Sequence, residues 1–295
     1  MEPTRRAASL LLALSVGACG RGGLDRQLSK RIDASKAELV SVAYHDFQTG
    51  QRLELRANQP LHAASTMKLP VMMEVYRQAD DSSGTFDLGL PLRVENRFSS
   101  IVDGSAYSLD PADDEDPWPY AQIGRNVPLG QLVERMIVRS SNLATNLIMA
   151  QVGAAEVTRL CRRLGADRIE VLRGVEDAKA HAAGRNNTTT ARDLLVLLRA
   201  IAERRVPGAD EMIEILARQE LNEGIPAGLP PGTRVAHKTG SITAIYHDAA
   251  LVLPPGGDRG YVLVILTRGI ADEKAAADLV ADLSRIVWNH RKSAR

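Results

Sequence analysis

Ser65 and Lys68 are three residues apart, at a point where an extended segment changes to a helical spacing of apolar residues. Residues at this separation on a helix share a face, so the two side chains should lie together. A serine hydroxyl becomes a nucleophile when a neighbouring base takes its proton, and a lysine amine can be that base where burial lowers its pKa. The free N–H groups at the helix start would face an oxyanion. The pair therefore predicts a nucleophilic serine, although alone it also fits the start of an ordinary surface helix.

Two other short polar motifs contain residue types that fit the same chemistry. Ser140-Ser141-Asn142 lies between two helices with apolar stripes, where a plain turn is the alternative interpretation. Lys238-Thr239-Gly240 lies on a strand-like segment, where its lysine supplies a positive charge and its glycine lets a backbone or a ligand approach closely. Each motif alone is weak. In this order, at a helix start, a helix junction and a late strand, the three together resemble the penicillin-recognising serine enzymes, and among them the class A β-lactamases.

This resemblance covers residues 30–290 and implies a role for each motif residue. Ser65 would be acylated with Lys68 as its activating partner, and Ser140 would pass a proton to the leaving nitrogen. The backbone N–H groups of Ser65 and Ser241 would form an oxyanion hole. The substrate-binding residues that the resemblance implies are Asn142 for a side-chain amide, Lys238 and Thr239 for a carboxylate, and the neighbouring Gly240 and Ser241.

A loop glutamate distinguishes the class A β-lactamases from penicillin-binding proteins, because it activates the water that hydrolyses the acyl-enzyme. Glu176 lies in the matching place, within the segment 173–177 and upstream of the threonines at 188–190. A solvated loop carboxylate is the alternative interpretation of this residue. Asn146 matches a further structural asparagine that follows the second motif.

Four positions depart from the family pattern. Ser141 replaces an aspartate, Ala180 stands where an asparagine helps to hold the water, and Asn187 replaces the aspartate that pairs with the loop arginine. His247 takes the place of an arginine that contacts the substrate carboxylate, and it is therefore a candidate substrate-binding residue. His247 and Asp248 are also predicted to form a hydrogen-bonded pair.

The leading hypothesis for function is a serine hydrolase of the class A β-lactamase type. It would open the β-lactam ring through a Ser65 acyl-enzyme, which water activated by Glu176 would hydrolyse. A D-alanyl-D-alanine peptidase or esterase on the same scaffold is the first alternative, and a cell-wall sensor lipoprotein that stays acylated is the second. The partner is then a small β-lactam or a cell-wall peptide.

The elements around the motifs predict an α+β fold. Strand-like runs occur near both ends of the chain, at 39–45, 52–55, 234–237, 246–253 and 261–267, and a helix follows at 274–289. Helical spacing dominates from 65 to about 205, interrupted by a polar stretch at 95–125 that is predicted to be a surface loop. The economical arrangement is an α/β sandwich: one antiparallel sheet built from both chain ends with flanking helices (30–62 and 210–290), and an inserted all-helical subdomain (63–209).

Composition excludes several other functions. The net charge is +1 over 295 residues, and no basic stripe with interleaved aromatics is present, which argues against nucleic-acid binding. The six histidines show no metal-ligand spacing, so we expect no metal and no cofactor. We expect a monomer.

The first residues are typical of an export signal. Arg5 and Arg6 precede an apolar run at 7–16 that is too short to span a bilayer. The run leads to Cys19, as in a bacterial lipoprotein signal, although cleavage after Ala18 in an ordinary signal peptide is the alternative. We therefore expect a signal peptide at 1–18, a tether at 19–29, and location in the periplasm or cell envelope with a lipid on Cys19 as the only membrane contact. The one other cysteine, Cys161, is predicted to be a core residue.

Overall fold

A five-stranded antiparallel sheet forms the middle layer of the fold. The structure is a computed structural model, and it describes residues 23–81, 86–256 and 259–293. In chain order the described strands are β1 (Leu39–Asp46), β2 (Arg52–Leu55), β3 (Leu61–His62), β4 (Pro91–Arg93), β5 (Phe98–Ser99), β6 (Ala106–Tyr107), β7 (Asn126–Pro128), β8 (Thr188–Thr189), β9 (Arg234–Ile242), β10 (Ile245–Leu253) and β11 (Tyr261–Arg268). The sheet has the order β2-β1-β11-β10-β9, while β3 pairs with β8, β4 with β7, and β5 with β6.

The sheet joins the two ends of the chain, which confirms the predicted α+β fold. The β1–β2 hairpin pairs antiparallel, and β1 pairs in turn with β11. β9 runs five residues beyond the predicted end at 237, because 238–242 continue in register with β10. The third motif, Lys238 to Gly240, therefore lies inside a paired edge strand.

Helices cover both faces of the sheet. The described helices are α1 (Leu24–Asp33), α2 (Lys68–Asp80), α3 (Leu129–Val138), α4 (Asn142–Val152), α5 (Ala154–Leu164), α6 (Ala178–Ala182), α7 (Ala191–Ala202), α8 (Ala209–Leu216) and α9 (Glu273–Ser293). One face packs against α1 and α9, through a buried cluster that includes Val42, Tyr44, Leu263 and Leu283. The other face carries α7 and belongs to a second, larger cluster, which continues into the helical segment between β2 and β9.

Helix α1 corrects the predicted tether. Residues 24–29 were expected to link the domain to a membrane, but Leu24 and Leu28 are fully buried against α9. Their spacing of four places them on one helical face, so burial of that face stabilises the helix in the domain. Cys19 lies outside the described residues. Among the residues that the structure describes, no helix is long and apolar enough to cross a bilayer.

The inserted helices pack as their apolar stripes predict. Thr190 caps α7 by accepting a hydrogen bond from the Asp193 N–H at 3.1 Å, as expected for a threonine at a helix start. Cys161 is fully buried in the larger cluster, which confirms it as a core residue. Burial raises the pKa of its thiol to about 12, so the thiolate needed for reactivity is disfavoured.

The segment at 95–125 is more ordered than the loop that was predicted there. It contains β5, β6 and two 3₁₀ turns, because short polar side chains tie its backbone together. The Asn96 amide donates to the Leu109 carbonyl and accepts from the Leu109 N–H, and Asp110 accepts from the Ala112 N–H. This segment reaches the helix junction that carries the second motif.

Candidate active site

Ser65 lies on a 3₁₀ turn that precedes α2, rather than in the first turn of an α-helix. The turn spans Ala64–Met67, and α2 begins at Lys68. Because a 3₁₀ helix has three residues per turn, Ser65 and Lys68 still share a face. Ala64 has a φ of 45°, a left-handed conformation that is uncommon for a residue with a Cβ and that is often found at functional sites.

Gly240 lets the turn that carries Ser65 pack directly on the edge strand. A Cβ added at Gly240 would lie 2.9 Å from the backbone nitrogens of both Ser65 and Thr66. Any side chain there would push the turn away from β9. The close backbone approach predicted for this glycine is therefore present, and its partner is the turn that carries Ser65.

The two motif lysines converge on one hydroxyl. Lys68 Nζ donates to the Ser140 carbonyl and lies 3.2 Å from Ser140 Oγ, while Lys238 Nζ lies 3.0 Å from the same Oγ. Both lysine side chains are fully buried. Since N–H donors of two lysines engage the lone pairs of the hydroxyl, its own hydrogen is left to point elsewhere.

Burial lowers the pKa of both amines. The pKa of Lys68 falls to about 7, because burial outweighs the attraction of the Asp114, Glu176 and Glu115 carboxylates. Burial, followed by repulsion from Lys68, also lowers the pKa of Lys238. A lysine with a pKa near neutrality can hold and release a proton under ordinary conditions.

Asn142 connects Lys68 to Glu176. Its Oδ1 accepts from Lys68 Nζ at 2.8 Å, and its Nδ2 donates to Glu176 Oε1 at 2.8 Å. Glu176 is half-buried and has a φ of 62°. Burial raises the pKa of its carboxyl, opposed by the hydrogen bond from Asn142.

Backbone hydrogen bonds hold the loop that carries Glu176. The Asn146 side chain accepts from the Val175 N–H at 2.7 Å and donates to the Val175 carbonyl at 3.0 Å. Asn187, which replaces an acidic residue of the family pattern, bonds the Leu172 and Arg173 backbone instead of forming an ion pair. Asp177 caps α6 and also binds the Ile101 N–H, so its carboxylate is fully engaged in structure.

Asp114 is a positioning residue that the sequence analysis missed. Its Oδ2 accepts from the backbone N–H groups of Asn142 and Leu143 at 2.8 and 2.9 Å, at the N-terminus of α4. Oδ2 also accepts from the hydroxyls of Tyr120 and Ser141 at 3.1 and 3.3 Å. A carboxylate at this end of a helix is favoured by the free N–H groups and the helix dipole. Two sequence features could have indicated Asp114: Ser141 replaces an acidic residue of the family pattern, and a carboxylate-rich loop precedes it.

We expect Asp114→Ala to lower both stability and the rate of acylation. Loss of an acceptor for two helix N–H groups should cost roughly 1–2 kcal/mol in the free energy of unfolding. Displacement of Ser140 and Asn142 should slow acylation about tenfold. Thermal melting and intact-mass kinetics with a penicillin would measure the two effects.

The matched control is Asp87→Ala, which removes an exposed carboxylate that accepts from the Gly89 N–H in a turn outside the site. Adding Ser141→Asp to Asp114→Ala should restore part of the acylation rate, because it returns a carboxylate to the same helix end. Unchanged acylation in a destabilised Asp114→Ala would show that Asp114 has no positioning role.

The structure does not bring His247 into the site. Its side chain is fully buried, with Nε2 3.0 Å from the His62 carbonyl and Nδ1 accepting from the Thr267 N–H. The predicted pair of His247 with Asp248 is wrong, because adjacent residues on a strand point to opposite faces. Asp248 instead pairs with His237, at 2.9 Å between Oδ1 and Nδ1.

A cleft of about 160 Å³ opens beside Ser65. Across the described residues, no group of three or more histidine, cysteine, aspartate or glutamate side chains is arranged to hold a metal. Six of the predicted site residues line the cleft: Ser65, Ser140, Asn142, Thr239, Gly240 and Ser241. The other residues that line it are Asp113, Glu115, Leu221, Glu223, Tyr246 and Glu273.

Comparison with known proteins places this chain in a family. The family model described as "Beta-lactamase enzyme family" matches residues 23–291. A beta-lactamase of Bacillus licheniformis is 29% identical over 188 residues, a match that spans 61% of this chain and only 61% of that protein. A beta-lactamase of Streptomyces fradiae is also 29% identical, over 324 aligned positions that cover 97% of this chain and 96% of that protein.

A solved structure has a fold similar to that of this chain. A mutant of PBP-A in an acyl-enzyme complex with penicillin G has a TM-score of 0.77 and 25% identity, covering 92% of this chain and 96% of that chain. Because the family model spans nearly all of the described chain, this protein belongs to the beta-lactamase enzyme family, as the resemblance of its three motifs predicts.

Proposed function

We propose that this protein is a serine hydrolase that opens the β-lactam ring through an acyl-enzyme on Ser65. The main support is the hydrogen-bonded chain in which Asn142 joins Lys68 to Glu176. Lys68, at one end of this hydrogen-bonded series, suits formation of the acyl-enzyme, and Glu176, at the other end, suits its hydrolysis. The fold is that of PBP-A, whose mutant forms an acyl-enzyme with penicillin G.

In the acylation step, neutral Lys68 takes the proton of the Ser65 hydroxyl while Oγ attacks the lactam carbonyl carbon. The C–N bond then breaks, and the nitrogen receives a proton from Ser140. Ser140 regains a proton from Lys68, its hydrogen-bond partner. Lys238 stabilises the electron-rich Ser140 oxygen during this relay, because its Nζ lies 3.0 Å from that oxygen.

In the deacylation step, Glu176 takes a proton from a water molecule that attacks the ester carbonyl. The C–O bond to Ser65 breaks, Ser65 receives the proton that Glu176 took from the water, and the product acid loses its own proton to solvent to become a carboxylate. Because burial raises the pKa of Glu176, its carboxylate is a stronger base than an exposed one. We propose that Asn142 holds this carboxylate.

A second candidate function is acylation with little turnover, and one observation favours it. Ala180 occupies the place of a family residue that helps to hold the water, and its methyl group is buried and offers no hydrogen bond. A D-alanyl-D-alanine peptidase, an esterase or a sensor would fit this arrangement. Export and lipid attachment at Cys19 stay predictions from the sequence.

Pre-steady-state hydrolysis of a chromogenic cephalosporin, measured between about pH 5.5 and 9, tests the proposed function. We expect turnover, with an acylation rate that rises through about pH 7 and levels off above it, because only neutral Lys68 accepts the Ser65 proton and its pKa is about 7.

Circular dichroism over the same pH range is the control, since it separates titration of the site from unfolding. A flat acylation rate across this range would remove Lys68 as the base. Absence of any acylation would contradict the proposed function itself.

A further inference from the structure

The walls of the cleft carry four carboxylates from three separate parts of the chain. Asp113 and Glu115 come from the segment that reaches the helix junction, Glu223 from the turn before β9, and Glu273 from the first turn of α9. All four residues are exposed. Among the described residues, none of the four forms an ion pair. Their charges therefore act on whatever enters the cleft.

Among the described residues that line the cleft, no lysine or arginine is present. Arg139, outside this lining, donates to the Glu115 carbonyl and attracts the Glu115 carboxylate. Lys68 and Lys238 are fully buried, and their ammonium groups already bond acceptors on Ser140, Asn142 and Thr239. His247, in the place of a family arginine, is also buried and does not reach the cleft.

Ser241, on β9, also favours a cationic rather than an anionic group in the cleft. Its hydroxyl donates to Glu273 Oε1 at 2.5 Å, so it is engaged with a carboxylate. An anionic group of a substrate near Ser241 would lose this donor and meet the charge of Glu273. A cationic group would meet favourable potential on both walls, since Asp113 lies on the Asn142 side and Glu273 on the Ser241 side.

We propose that this cleft selects acyl substrates that carry an ammonium group close to the reacting carbonyl. Zwitterionic β-lactams and peptides with a free amine belong to this class. The inference rests on the proposed function, because Ser65 and its neighbours identify the cleft as the place of reaction. The carboxylates determine only which substrate is preferred.

Three penicillins that differ at a single carbon test this inference. Benzylpenicillin has no charge on its side chain, ampicillin has an amino group on the α-carbon, and carbenicillin has a carboxylate there. We expect the second-order rate constant for acylation of Ser65, measured by intact mass, to fall in the order ampicillin, benzylpenicillin, carbenicillin. The ratio of the first to the last should be roughly tenfold at low salt and should shrink as salt is added.

Two double variants examine the two walls: Asp113→Asn with Glu115→Gln, and Glu223→Gln with Glu273→Gln. Each should lower the ampicillin-to-carbenicillin ratio. The matched control removes two carboxylates elsewhere, Asp25→Asn on α1 with Glu54→Gln on β2, and should leave the ratio unchanged. β2 is the edge of the sheet opposite to β9.

The outcomes separate this inference from the proposed function. If none of the three penicillins acylates Ser65, the proposed function has failed. If all three acylate at similar rates, or if neither double variant changes the ratio, only the charge preference is wrong. A lower ratio in one double variant alone would support the preference and assign it to that wall.

Discussion

Replacement of Ser65 by alanine is expected to abolish covalent labelling by a fluorescent penicillin. Ser65 lines the cleft, and Lys68, the first residue of α2, has a pKa of about 7 that suits it to take the hydroxyl proton. Removal of a nucleophilic oxygen leaves only binding and oxyanion stabilisation, so the rate of reaction should fall on the order of 10⁴-fold or more. Labelling followed by denaturing gel electrophoresis would measure the loss.

The variant should stay folded, because the Ser65 hydroxyl makes no hydrogen bond within the described residues. A melting curve would verify this. Ser29→Ala is the matched control, since Ser29 is a half-buried serine on α1 and its variant should label like the parent protein. Labelling that persists in Ser65→Ala would transfer the nucleophile to another residue, with Ser140 the first to examine.

The motif residues could be predicted because their chemistry is local. Ser65 and Lys68 are close in sequence, and the glycine at 240 indicates close packing whatever its partner is. Most of the sheet could also be predicted, since β1, β2, β10 and β11 have the length and composition of strands at the positions expected for them. Short-range spacing and residue type are sufficient for such features.

Other features depend on contacts between distant segments, which spacing does not reveal. Asp114 lies in a carboxylate-rich stretch that resembles any solvated loop, yet it caps a helix that begins 28 residues later. Leu24 and Leu28 were assigned to a tether because their partner, α9, is at the other end of the chain. His247 was placed in the site by its position in the motif pattern, whereas its strand face directs it into the protein interior.

The negative charge of the cleft also depends on residues from distant segments of the chain. Asp113, Glu223 and Glu273 are far apart in sequence, and a net charge of +1 for the chain conceals their convergence. Only the fold brings them to one surface. The motif residues and the carboxylates of the cleft thus differ in how far their positions can be predicted from the sequence.

Glu176→Gln is expected to acylate at near the parent rate and then to stall as a long-lived adduct. The substitution keeps the shape of the side chain and an acceptor for Asn142, but it removes the carboxylate that would take a proton from water. Acylation uses Ser65, Lys68 and Ser140, so it should be little affected. General-base assistance typically contributes about 10²- to 10⁴-fold, and deacylation should slow by a factor of that size.

Intact-mass spectrometry after mixing with a penicillin separates the two steps, because the acyl-enzyme is heavier than the free protein by the mass of the whole antibiotic. Glu170→Gln is the matched control: this glutamate is exposed on the segment leading to the same loop, and its variant should turn over like the parent. If the parent protein itself keeps the adduct for hours, the non-turnover candidate is correct, with Ala180 as the physical reason. If Glu176→Gln turns over as fast as the parent, Glu176 is not the base; Asp177 is engaged by backbone and serine donors, so Lys68 would then be the remaining group to test.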